Sequence, residues 1–327
     1  MVVTDTVLRR IRASARVVSR EGLDTLSFLS MGTQCSVSVA GGSVPAVRSY
    51  FEALLNWVAD FETRYSRFIP ESLIGQINAA AGKEWVPIDL ETEGILNLCD
   101  QLHFLTKGIF DPTALPLIRL WDWKVRPPVV PTAEAISAAK ELVGWSKVCR
   151  KPGTVFLPRT GMCIDLGGIG KEYAVDLVLL MASLYDLDDV LVDFGHDVRV
   201  AGKAPGHPAW HIGLEDPRQP SKCWAGIGLT DAAVASSGDY LRYFNLDGRR
   251  YGHIIDPRSG QPVANQCRAV TVIAPNCTIA GILCTTAFIL GAKEGMAMIQ
   301  AYFGAEGALI TDDSRYHTRR FYEYVVS

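Results

Sequence analysis

Between positions 161 and 176 the chain reads GMCIDLGGIGKEYAVD, and this run restricts the fold more than any other. Met162, Cys163, Ile164 and Leu166 predict a short buried strand. Gly167, Gly168 and Gly170 then predict a tight turn that side chains would obstruct. Tyr173, Ala174, Leu177 and Leu180 fall on one apolar face of a helix over 171–180. A chain that enters a helix through glycines leaves backbone N–H groups free at the helix start. Those groups and the helix dipole suit a phosphate, and Lys171 adds a positive charge there. The run is not a Walker loop, because its glycine spacing differs and Glu172 stands where Ser or Thr should follow Lys171. On these residues alone, a plain strand-to-helix turn and a phosphate cradle are equal readings.

The surrounding pattern is α+β. Residues 26–40 alternate apolar and polar side chains, as a strand does, and end at Gly41-Gly42. Val47, Phe51, Leu54, Val58 and Phe61 keep helical spacing, and Asp89 is placed to cap a helix bearing Ile95, Leu98, Leu102 and Leu105. A short helix is expected over 132–142 after the prolines at 127, 128 and 131. Strands are predicted near 189–193, 196–202, 210–214, 223–229, 232–235, 249–255 and 267–273. Helices over 278–290 and 293–303 and a final hairpin over 307–325 follow. Strands outnumber helical crossovers in the second half, so the sheets should be largely antiparallel and flanked by helices.

Net charge is −3 with a pI near 6.1, so no global field attracts nucleic acid. Residues 1–25 form a basic N-terminal arm (RRIRASARVVSR over 9–20), expected as a frayed, solvated helix ahead of one domain over 26–327. No apolar run is expected to reach membrane-spanning length, and charged residues interrupt any signal-peptide core. Eight cysteines, at 35, 99, 149, 163, 223, 267, 277 and 284, form no CxxC pair; most sit in apolar stretches, read as small buried hydrophobes and suit a cytoplasmic location.

Five further blocks lie in order along the chain: Met31-Gly32-Thr33, the stretch 66–78, Gly108-Ile109-Phe110-Asp111-Pro112-Thr113, SSGDYLRYF with YGHIIDPRSGQP over 236–262, and VTVIAPNCTIAGILCTTAFILG over 270–291. With DLGGIGK, they resemble the ApbE family of flavin transferases over about residues 28–325. The resemblance implies an ApbE-like fold and a reaction that places FMN from FAD on a threonine of a partner flavoprotein, releasing AMP. It also implies Met31, Phe68, Ile109, Phe110, Asp111, Asp165, Lys171, His253 and Ile254 as FAD contacts. His253, Asp256 and Lys171 would be catalytic, with Thr285 and the Gly168 carbonyl as metal donors. Each has an ordinary alternative. Met31 and Phe68 read equally as core residues, Asp111 as a turn residue and Asp165 as an ion-pair partner of Lys171.

Two positions depart from the family. Its aspartate on the helix after the 270–274 strand is Gly281 here, although Thr285 four residues later is kept. Loss of that carboxylate should weaken Mg²⁺ binding, with Asp256 the conceivable replacement, and Gly281→Asp should raise metal-dependent turnover. The other departure is His196, before Asp197, where the family has glycine. Three readings follow: an FMN transferase, a flavin-binding protein without transfer activity, and an FAD hydrolase giving FMN and AMP.

Overall fold

The alternating segment resolves into a hairpin. β2 (Leu23–Ser30) pairs antiparallel with β3 (Thr33–Ala40), turning at Met31 (φ 50°) and Gly32 (φ 73°). β1 (Arg16–Arg20) extends the sheet beside β2. This computed structural model describes residues 2–239 and 242–326; Tyr240 and Leu241 of the SSGDYLRYF block lie outside it, as do Met1 and Ser327.

The main sheet continues through β4 (Asp189–Phe194), β5 (Asp197–Ala201), β6 (Ala232–Gly238), β7 (Cys267–Ala274), β8 (Glu306–Thr311) and β9 (Arg315–His317). Its nine strands lie side by side in chain order, and each neighbour runs antiparallel. Apolar side chains of period two then reach both faces. Val190, Val192 and Phe194 face the larger core, where helices cover the sheet. Val198, Val200 and Val234 face a smaller core closed by a second sheet of Trp210–Asp216, Gln219–Leu229 and Val325–Val326.

Eight helices are present among the described residues: α1 (Val2–Ser14), α2 (Val44–Tyr65), α3 (Leu73–Ala79), α4 (Leu90–Leu105), α5 (Leu115–Leu120), α6 (Ala133–Glu141), α7 (Gly170–Ala182) and α8 (Cys277–Ala301). Capping fixes several starts. Ser43, Asp89, Thr132 and Asn276 each accept an N–H bond from the first turn of their helix. The two helices expected after 277 run end to end within α8, divided by a kink at Gly291, whose φ of 79° and ψ of −176° only glycine adopts easily.

Four expectations are corrected. The basic arm is not frayed: Ile11 is fully buried, and Arg10 and Arg12 pair with Glu62 and Glu52 of α2, each at 2.7 Å. The 162–166 segment is buried but is no strand. Asn78 clamps the Ile164 peptide on both sides (2.6 and 2.9 Å), and the Asp165 N–H donates to the Pro112 carbonyl, so neighbouring loops replace a ladder. In the final hairpin β9 is short, and the chain then crosses to the second sheet, where 325–326 pair with 226–227. Finally, α8 does have the length and hydropathy of a membrane span; half of its apolar window is buried, with Leu283, Cys284 and Phe288 in the larger core.

Candidate active site around the glycine turn

None of Gly167, Gly168 and Gly170 has a positive φ, so backbone freedom is not what they supply. They supply space. A Cβ on Gly167 would stand 3.2 Å from Asp165 Oδ1, and one on Gly168 3.4 Å from the Phe110 ring. The turn is thereby seated on the 109–113 loop, which His103 holds through its Nδ1 at 2.7 Å from the Phe110 carbonyl oxygen. Ile109 and Phe110 are buried there. Asp111 accepts the Thr113 and Trp145 N–H groups at 2.8 and 3.0 Å, so its carboxylate organises the loop.

Asp165 does not pair with Lys171; its partner is Arg67 Nε at 3.1 Å. Burial pushes the Asp165 carboxyl above its ordinary value, against the pull of Arg67 and the Gly167 N–H. The Arg67 guanidinium also lies over the Phe68 ring, 4.3 Å from its centroid, and Phe68 is 78 % exposed, which rules out its reading as a core residue. Met31 is half-buried against the larger core, and its N–H donates to Glu62 at 3.1 Å.

Lys171 opens α7, and Ile169 ahead of it contributes no side-chain cap. Its charge is not free: the ammonium is paired with the buried Asp197. Burial disfavours that ammonium, but Glu172 and Asp197 outweigh it and hold Lys171 above the usual lysine range. Asp197 follows His196, which takes a φ of 72° while its N–H donates to Asp193 at 2.7 Å. His196 thus marks the β4–β5 turn that delivers the lysine's partner.

Beside this pair stands Glu172, 8 % exposed, with Oε2 lacking any hydrogen-bond partner. Burial pushes its carboxyl up to about 7, Lys171 opposing and Asp197 adding to the shift. Glu172 also fills the space at Gly281. A Cβ built there would lie 2.7 Å from Glu172 Cγ and 2.9 Å from Oε1. A Cβ at position 281 therefore requires the Glu172 side chain to shift, so Gly281→Asp would displace one carboxylate as it adds another. Asp256 is no replacement either, since Arg258 grips both its oxygens through Nε and Nη2 at 2.8–3.2 Å. One turn along α8, the Thr285 hydroxyl is 2.9 Å from that of Ser237 on β6. Two hydroxyls and an orphaned carboxylate are hard oxygen donors of the kind Mg²⁺ takes.

The His253–Asp256 block sits on its own excursion. The His253 N–H donates to the Arg242 carbonyl, and the Val263 N–H to that of the half-buried Ile254, both at 3.0 Å. Burial, helped by Arg242, lowers His253 to about 4, and its Nδ1 has no partner. The imidazole is therefore neutral at pH 7. Between pH 4 and 6.5 the unfolded chain binds this proton and the folded one does not, so the group's contribution to stability falls as pH drops through that window. His253→Gln should remove that contribution, visible as a smaller loss of melting temperature between pH 7 and 5 than in the unsubstituted protein.

A sequence model of the ApbE family matches residues 31–309. This chain belongs to the ApbE family. It is 30 % identical over 258 residues to an FAD:protein FMN transferase of Vibrio cholerae, covering 78 % of this chain and 76 % of the relative. It is 29 % identical to the enzyme of that name in Treponema pallidum, covering 93 % and 87 %. Among solved structures, the ApbE protein of Thermotoga maritima superposes with a TM-score of 0.83 at 30 % identity, covering 96 % of this chain and all of that one. The apo flavinyl transferase ApbE of Pseudomonas stutzeri gives 0.80 at 27 % identity, covering 95 % and 97 %.

Four features of the candidate site were not read from the sequence: Arg67, Asn78, Asp176 and the position of Glu172 against α8. Asp176 was the most findable, a carboxylate inside an apolar helical run that has to find partners. It accepts the Cys277 and Thr278 N–H groups at 2.8 and 2.9 Å, the Thr278 hydroxyl at 2.7 Å and Arg199 at 2.9 Å.

Proposed function

We propose that this ApbE-family protein moves FMN from FAD to a threonine of a partner protein and releases AMP. What carries the reading is the convergence of three separated segments. Residues 67–68, 109–112 and 165–171 join into one strip, with exposed Phe68 in one part and the Lys171–Asp197–Glu172 group in another. An aromatic plate linked to a charged turn suits a flavin joined to a pyrophosphate. The relatives named FAD:protein FMN transferase are matched over most of their own length, which supports the same substrate and a protein acceptor here.

In the reaction, the acceptor threonine oxygen forms a bond to the phosphorus of the FMN half while the bond to the AMP phosphate oxygen breaks. The threonine proton leaves, and neutral His253, with Nδ1 unpartnered, is the group assigned to take it. Lys171 lies beside the glycine turn, where its charge offsets that of the phosphates, and Arg67 holds Asp165 in place. A divalent cation, held with Thr285 and the Gly168 carbonyl, would neutralise further phosphate charge.

The test is incubation with FAD and Mg²⁺, with and without a threonine-bearing acceptor peptide. AMP and peptide-linked flavin in equal amounts are expected. FAD binding without AMP would mean a carrier, and AMP with free FMN but unmodified peptide a hydrolase.

A further inference from the structure

We propose that Glu172 is the carboxylate ligand of a divalent cation held against the Gly281–Thr285 face of α8, a carboxylate supplied by α7 rather than by α8. The residue is 8 % exposed, and its Oε2 atom is buried with no hydrogen-bond partner inside the protein. A buried carboxylate oxygen left without a donor costs free energy unless a ligand meets it. Its location is specific. Oε1 is 2.9 Å and the carboxyl carbon 3.1 Å from where a Cβ of residue 281 would stand, so this carboxylate occupies the volume that only glycine leaves open.

The second donor is independent of it. Thr285 is four residues beyond Gly281 and shares its helix face, with its hydroxyl beside Ser237. Lys171 does not satisfy Glu172. Its ammonium is committed to Asp197 and lies 4.0 Å from Oε1. Carboxylate and hydroxyl oxygens at a phosphate-binding turn favour Mg²⁺ or Mn²⁺ over softer metals. No group of three or more His, Cys, Asp or Glu side chains is clustered for a metal among the described residues. A site with one protein carboxylate, completed by hydroxyl, carbonyl, water and phosphate oxygens, is the usual economy of Mg²⁺.

This inference deepens the transferase reading, and its test does not depend on turnover. Free Mn²⁺ is followed by electron paramagnetic resonance as the protein is titrated, with Mn²⁺ alone and with ADP present as a pyrophosphate probe. The unsubstituted protein should bind one Mn²⁺, more tightly with ADP. Glu172→Gln, isosteric and able to fold, should weaken binding at least about tenfold, the low end of what losing even an outer partner of a metal costs. Glu172→Gly combined with Gly281→Asp moves the carboxylate to α8 without the clash and should recover most of the affinity. Unchanged Mn²⁺ affinity in a folded Glu172→Gln protein would overturn the proposal, as would no binding by the unsubstituted protein with or without ADP. Mn²⁺ binding lost in Glu172→Gln, in a protein that releases no AMP from FAD, would uphold this proposal and sink the transferase reading alone.

Discussion

Replacing Lys171 by Met is expected to lower AMP release from FAD by roughly a hundredfold or more and to destabilise the fold as well. The lysine neutralises buried Asp197 and stands next to Glu172, so its removal strands two carboxylates in a site they share. Taking away one partner of a buried pair costs about 3–5 kcal/mol, and the low end applies because the Lys171 side chain keeps 31 % of its exposure. A Lys171→Met, Asp197→Asn double variant separates the two effects. It should regain much of the lost stability in thermal melts, since the stranded charge is gone, while AMP release stays low. If stability and activity return together, the lysine acts only by holding the turn. Lys171→Arg should not restore activity, because a planar guanidinium cannot take the place of a compact ammonium in that pocket.

The second large effect is expected at Asp176, which touches no substrate. Its two oxygens cap the first N–H groups of α8, accept the Thr278 hydroxyl and pair with Arg199. Asp176→Ala would remove four bonds at once from a buried helix start and leave Arg199 without its counter-charge. A loss of about 3–5 kcal/mol is expected, which for a chain of this size lowers the melting temperature by roughly 5–10 °C. Because α8 carries Gly281 and Thr285, its displacement should also weaken Mn²⁺ binding. Asp176→Asn, which keeps the shape and one acceptor, should lose less in both measurements. Equal melting temperatures for Asp176→Ala and the unsubstituted protein would show that Asn276 caps α8 unaided.

Local patterns served the sequence well where one element carries its own signal. Asp89 was legible as a helix cap because capping is decided within four residues. The motif blocks placed Phe110 and the glycine turn in one site, and the structure brings Phe110 against Gly168. The 162–166 segment misled because an apolar run reports burial without saying what pairs with its backbone. The N-terminal arm misled for the opposite reason. Its arginines looked solvated, while their carboxylate partners lie on α2, about forty to fifty positions away along the chain.

The order of elements, the antiparallel class and the identity of the motif residues were determined by the sequence alone, since periodicity, caps and turn chemistry act over a few residues. Tertiary structure alone decided who partners whom. Asp165 goes to Arg67, Lys171 to Asp197, and Glu172 lies against Gly281. The physical reason is that a buried charge takes whatever opposite charge or ligand the packed sheet and helices bring within a few ångströms. That proximity is set by folding, and the sequence separation of the groups carries no record of it.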